Sequence, residues 1–241
     1  MVSLLEKVLS NLCVLFLLVF VLVLVSSSSS HVAASVTNSM GAAKRTVGEK
    51  EAKALLTWKA SLDNESQSLL SSWVGGSPCK WAGINCDESR SITSLNLSSY
   101  GVTLHSLNFS SFANLHSFGL FNNSLYGTIP SHIGNLSKLR FLRLSLNKIT
   151  GRIPSEIGQL RSLRIFYLSR NLISGSIPQE IGNLSSLTEL SLFGNYLRGA
   201  IPASIGNLGN LTAIHLYYTL LSGQIPSSIG NLTKLTQLNL Q

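Results

Sequence analysis

The chain has 241 residues, 44% of them apolar and only 12% charged, with a formal net charge of +8. That length suits one or two ordinary domains. A basic balance favours anionic partners in general, but Lys and Arg are scattered without a run, which argues against a nucleic-acid-binding protein.

At the N-terminus, Lys7 precedes an uncharged apolar run from Leu12 to Val25, then a serine tract and the small residues Val32-Ala33-Ala34. The run is long enough for the core of a signal peptide and short for a membrane span. Residues 1–34 therefore read as a signal peptide, with an uncleaved signal anchor as the alternative, and 35–48 as a flexible linker. Secretion makes the cysteines interpretable. Cys13 lies within the signal segment, which leaves Cys79 and Cys86, and an even pair in an oxidising compartment reads as one disulfide.

Residues 49–90 repeat nothing that follows. Ala52, Leu55, Leu56 and Lys59 fall at helical spacing. Residues 91–114 are irregular, although Leu95 and Leu97 already alternate with polar neighbours.

From Leu115 the chain becomes periodic. The tetrapeptide G-x-I-P occurs at Gly127, Gly151, Gly175, Gly199 and Gly223, every 24 residues, and I-G-[NQ]-L follows it at the same interval. Five periods span 115–234, beginning at Leu115, Leu139, Leu163, Leu187 and Leu211, and a sixth occupies 235–241. Apolar residues stand at positions 1, 4, 6 and 11 of each period. The alternation at 4 and 6 predicts a short strand with one buried face. One such strand cannot close a core, so stacked copies must form a parallel sheet over a continuous leucine column. Asn123, Asn147, Asn171 and Asn195 at position 9 are expected to satisfy turn backbone groups of their own and the next coil. Thr219 replaces this Asn in HLYYTLLSGQIP while the core positions persist, which predicts a local weakness.

This pattern, LxxLxLxxNxLxGxIPxxIGNL, resembles the plant-type extracellular leucine-rich repeat from Leu115 to Gln241. The ALLxWKxSL, LSSW and PCxWxGIxC segments of Glu49–Asp87 resemble the N-terminal cap of plant leucine-rich-repeat receptors, whose disulfide pair Cys79 and Cys86 match. An exposed leucine column needs such a cap, and Trp58 and Trp73 suit it. The first repeats are similar to those of plant receptor-like kinases, in particular the group that includes the MDIS1-interacting kinases. The resemblance implies an α/β repeat fold: a right-handed leucine-rich-repeat solenoid with a parallel concave β-sheet, short helical or 3-10 convex segments and a helical N-terminal cap. It also implies an extracellular or plasma-membrane ectodomain in the cell-wall space. More repeats, a membrane span and a kinase domain are expected beyond Gln241.

Catalytic motifs are missing from the 241 residues. There is no phosphate-binding glycine loop, zinc-binding H-E-x-x-H, nucleophile elbow or kinase signature. His31, His105, His116, His132 and His215 share no ligand spacing, so neither metal nor cofactor is expected. What remains is recognition. Positions 3, 5, 7 and 8 should point outward from the concave sheet. They yield Phe121, Phe141, Arg143, Tyr167, Arg170, Phe193, His215, Tyr217 and Tyr218 as candidate ligand-binding residues. Aromatic residues and Arg are enriched at binding hot spots. The expected partner is an extended peptide or protein with some negative character, together with a co-receptor. The alternative is a stand-alone secreted inhibitor of a cell-wall-degrading enzyme, which should carry a second cap. N-x-[ST] sequons at Asn64, Asn96, Asn108, Asn122, Asn135, Asn183, Asn210 and Asn231 read as glycosylation sites. A glycan at Asn122 would intrude on the proposed face.

Overall fold

The computed structural model describes residues 47–101 and 107–241. The segment expected to be a signal peptide, Cys13, His31, His105 and most of the expected linker lie outside the described residues. Val47 and Gly48, read from the sequence as linker, are already helical.

Helix α1 covers residues 47–60. It buries Ala52, Leu55 and Trp58, while Leu56 is half-buried against the core. Lys59 has another role from the one its spacing suggested. Its Nζ donates to Leu70 O at 2.7 Å and Trp73 O at 3.2 Å, placing a cation at the C-terminal end of α2 (Asn64–Leu69). Asp63 caps the other end, accepting from Ser66 N at 2.8 Å. Behind these helices three tryptophans form a row. Trp73 lies 5.7 Å from Trp58 and 5.4 Å from Trp81 between ring centroids. The indole N–H groups of Trp73 and Trp81 donate to Ala82 O and Val74 O. Cys79 and Cys86 form a disulfide with Cα atoms 5.5 Å apart.

The cap opens the main sheet. Strand β1 (Ile84–Cys86) pairs antiparallel with β2 (Ile92–Asn96). Glu51 on α1 anchors that junction. It is 1% exposed and accepts from Ser91 Oγ at 2.7 Å and Ile92 N at 2.9 Å. Burial holds its carboxyl above the usual carboxylate range, against the opposing pull of the Ile92 and Ser91 bonds.

Each coil then contributes one inner strand: β3 (Ser117–Gly119), β5 (Phe141–Arg143), β7 (Ile165–Tyr167), β9 (Glu189–Ser191), β11 (Ala213–His215) and β13 (Gln237–Asn239). All pair in parallel from β2 onward, in an eight-stranded sheet with β1 at its edge. The register keeps the period: Phe118, Leu142, Phe166, Leu190, Ile214 and Leu238 align. Five of these six are at most 1% exposed, and Leu238 on the last coil is 39% exposed. Each buried side chain of this size contributes about 1.5–3 kcal/mol before conformational entropy is subtracted.

Second short strands line the side of the array: β4 (Tyr126–Thr128), β6 (Lys148–Thr150), β8 (Ser174–Gly175), β10 (Tyr196–Gly199) and β12 (Leu220–Leu221). The G-x-I-P proline then starts a 3-10 turn, as in Ser155–Gln159 and Gln179–Asn183. The glycine inside each of the first four of these turns, Gly134, Gly158, Gly182 and Gly206, permits a close approach. A Cβ on Gly182 would lie 2.4 Å from Ser204 O, and one on Gly158 would lie 2.6 Å from Glu180 O.

The position-9 Asn residues do bridge coils, but to the preceding coil rather than the next. Asn171 Nδ2 donates to Leu144 O and its own Leu168 O, both at 2.9 Å, while its Oδ1 accepts from Ile149 N at 3.0 Å. Asn147 and Asn195 repeat the arrangement. The amide can do this because it carries donor and acceptor on one planar group. Thr219 keeps only the local half, Oγ1 to Leu216 O at 2.7 Å.

One backbone feature has no counterpart in the hydrophobic pattern. Position 8 is left-handed in every coil: Asn122 (φ 54), Leu146 (φ 59), Arg170 (φ 52), Gly194 (φ 64) and Tyr218 (φ 51). Ser99 (φ 60) occupies the same place in the first coil. Such a conformation is routine for Gly and Asn and unfavourable for Leu, Arg and Tyr.

Candidate ligand-binding face

The inner sheet displays its odd positions, and the coil-to-coil register decides which of them meet. Phe193 and Tyr217, at position 7 of successive coils, stack with centroids 4.3 Å apart and planes at 8°. Tyr218 adds an edge contact to Tyr217 at 5.2 Å, and His215 another at 6.5 Å. Arg170 places its guanidinium 5.8 Å from the Phe193 ring centre. These five candidates therefore form one cluster. Cation–π and stacked contacts of this kind hold a flat, preorganised surface.

A second group lies one and two coils earlier. Arg143 covers the Phe141 ring at 4.9 Å. Tyr167 donates its hydroxyl to Glu189. Burial first, then the bond to Glu189, pushes the Tyr167 phenol up to about 12, so it remains a neutral donor at physiological pH. Phe121 stands apart. It is 40% exposed and has no ring partner among the described residues.

Glu189 stands at the outward position 3 of its coil, but the sequence did not single it out as a candidate ligand-binding residue. Tyr167 pairs with Ser191, so Glu189 is its diagonal neighbour two residues back. Aligning the 24-residue periods would have revealed that juxtaposition. Conversely, several positions read as outward are buried. Ser145, Ser169 and Ser191 are only 4–6% exposed and link by hydroxyl contacts of 3.1 and 2.9 Å. They form a buried polar row running from coil to coil.

All eight sequon asparagines are exposed. Asn122 sits in the left-handed column and donates to Ser99 Oγ at 3.1 Å, and Asn96 lies on β2 beside Gly119. Both therefore border the N-terminal half of the face, away from the Phe193–Tyr217 stack. Among the described residues, no group of His, Cys, Asp and Glu is arranged to hold a metal ion. No helix of these residues is long and apolar enough to cross a membrane.

Comparison with known proteins agrees with this architecture. The family described as "Leucine-rich repeat region" matches residues 90–241, and "Leucine rich repeat N-terminal domain" matches 49–87. The leucine-rich repeat receptor-like serine/threonine-protein kinase RGI4 of Arabidopsis thaliana is 36% identical over 101 residues, which is 40% of this chain and 9% of that protein. MDIS1-interacting receptor like kinase 2 of the same plant is 42% identical over 97 residues, 37% of this chain and 9% of the relative. Among solved structures, the Arabidopsis receptor kinase HAESA in complex with the peptide hormone IDA and the co-receptor SERK1 superimposes with a TM-score of 0.73 at 37% identity. That match covers 79% of this chain and 33% of the other. The chain thus spans a small part of the curated relatives it matches, and the matched part is their repeat region.

Proposed function

From the premise that this chain belongs to the leucine-rich-repeat family, we propose that it serves as the extracellular recognition module of a plant receptor-like kinase. Its inner sheet binds an extended peptide or protein ligand, and a co-receptor joins the complex. The parent protein is a serine/threonine kinase anchored in the plasma membrane, and this chain supplies ligand contacts rather than chemistry. One observation carries the reading: the Arg170–Phe193–Tyr217–Tyr218 cluster, assembled from three coils on one face. HAESA, a similar ectodomain, is described with a peptide hormone and a co-receptor bound.

The ligand chemistry follows from the side chains. Stacked rings offer apolar flat contact, and Arg143 and Arg170 favour a carboxylate or another anionic group. Glu189 accepts from the Tyr167 hydroxyl, and the guanidinium groups of Arg143 and Arg170 outnumber this one carboxylate on the surface. Exposed sequons on the N-terminal coils favour ligand entry over coils two to five.

The test is binding by the secreted chain to synthetic extended peptides that carry Asp or Glu beside an aromatic residue. The Arg143→Ala/Arg170→Ala double variant should lose about tenfold or more in affinity and show a shallower salt dependence. Unchanged affinity with an intact fold rejects the assignment.

A further inference from the structure

The second strand of each coil builds a side face distinct from the inner sheet. Ile173 and Leu197 point inward from it and are 1% and 0% exposed. The residues preceding them face solvent: Leu172 is 42% exposed, Tyr196 52% and, one coil on, Leu220 51%. All three occupy position 10 of successive coils. Leu172 and Tyr196 have coils on both sides, so their exposure is not an effect of the chain end. The backbone here is regular. Leu172 N donates to Ile149 O and Tyr196 N to Ile173 O, both at 2.8 Å. The surface is therefore rigid.

Charge on this face has one sign. Lys148, Arg152 and Arg198 are exposed at positions 10, 14 and 12. Arg198 pairs directly with Leu220 across the strands. Between Ser124 and Gln224 no Asp or Glu occupies positions 10, 12 or 14 of any coil. The three acidic residues of the array, Glu156, Glu180 and Glu189, lie in 3-10 turns or on the inner sheet. No sequon falls on these positions either, although eight are distributed elsewhere. A face free of glycan sites, with apolar residues repeated over three coils and a cationic border, has the composition of a protein contact. Tyr218, 79% exposed at the corner, joins it to the inner-face ring cluster through Tyr217.

We propose that this side face is a docking surface for a partner protein that presents an apolar patch edged by Asp and Glu. The inference goes beyond the ligand-binding reading and stands on different residues. Charge selects the occupant. A second copy would set Lys148, Arg152 and Arg198 against their own equivalents, and like charges across an interface oppose association. An anionic membrane would satisfy the cations, but a flat rigid sheet face offers it no flexible apolar anchor.

Two substitutions on this face create glycan wedges. Leu172→Asn completes an N-x-S sequon with Ser174, and Leu220→Asn does so with Ser222. Gly209→Ser completes a sequon at the exposed Asn207 in a 3-10 turn, where an added Cβ meets no atom within 4 Å, and serves as the glycosylated control. The experiment places a benzoylphenylalanine photocrosslinker at Tyr196 in the full chain as plant cells secrete it. The expected result is a discrete adduct whose crosslinked peptide carries more Asp and Glu than Lys and Arg. Its yield should fall about tenfold in Leu172→Asn, Leu220→Asn and Arg198→Glu, and hold in Gly209→Ser. Each variant is first checked for a native circular dichroism spectrum, and Arg198→Glu tests the charge argument without a glycan. Absence of an adduct, an adduct indifferent to the wedges, or an adduct with this chain itself overturns the proposal. So does wedge-sensitive binding to phosphatidylserine–phosphatidylcholine vesicles, which would assign the face to a membrane.

Discussion

The cap and the repeat array stabilise themselves in opposite ways. In the cap, each stabilising element occurs once: three tryptophans in a row, one disulfide and one buried carboxylate. In the array, the same few contacts recur from coil to coil: an aligned apolar column and, except at Thr219, an Asn bridge to the coil before. A repeated contact spreads its loss over neighbours, whereas a unique contact has no substitute. The cap should therefore fail locally and sharply, and the array gradually.

Trp73→Ala presses hardest on that difference. Trp73 is 1% exposed and touches both neighbouring indoles, so its truncation should cost about 3–5 kcal/mol. Hydrogen exchange should reveal loss of protection in residues 47–96 before the array opens. Simultaneous loss throughout would mean that cap and array are a single cooperative unit.

Asn171→Ala tests the other side. Removing the bridge leaves Ile149 N without its acceptor, while the Leu144 and Leu168 carbonyls each keep one donor, from Asn147 and Asn195, a cost of about 1–3 kcal/mol in urea denaturation. A smaller change of opposite sign is expected from Thr219→Asn, about 1 kcal/mol of added stability, because the missing bridge to the preceding coil is restored. No gain would show that the Asn bridge is dispensable near the end of the array.

The mildest test concerns pH. Because the folded-state pKa of Glu51 is raised, its contribution is fully present below the ordinary carboxylate range and is lost as pH rises through the elevated value. The cap should thus be slightly more stable in mild acid, and Glu51→Gln should remove that slope from thermal unfolding midpoints measured across pH. An unaltered slope would place its origin elsewhere.

Period and alternation carried the fold because leucine burial is a property of position within the coil. Leu142, Phe166 and Leu190 could be assigned from the 24-residue step alone. Other features depend on neighbours rather than position. Ser145 and Ser169 occupy outward positions but are buried, and their hydroxyls pair across adjoining coils. The direction of the Asn bridges depends on which backbone groups the preceding coil leaves open. The candidate face was legible as a set of residue types, but its division into a Phe193–Tyr217 cluster and an Arg143–Phe141 pair required the register. Position 8 was opaque altogether: nothing in Leu146 or Tyr218 announces a left-handed backbone.

The glycines of the 3-10 turns bear on the opposite surface. At Gly182 a single added carbon would press on the carbonyl of Ser204 in the next coil at 2.4 Å. The two coils would have to tilt apart there, pivoting about the sheet. That tilt would change how the Tyr167 coil faces the Phe193 coil, across the width of the protein. The close packing at this turn limits that tilt, and the geometry of the candidate face is gauged from its far side. A change of fit for a ligand can therefore arise at a residue that no ligand touches, by altering the angle between coils instead of the groups they display.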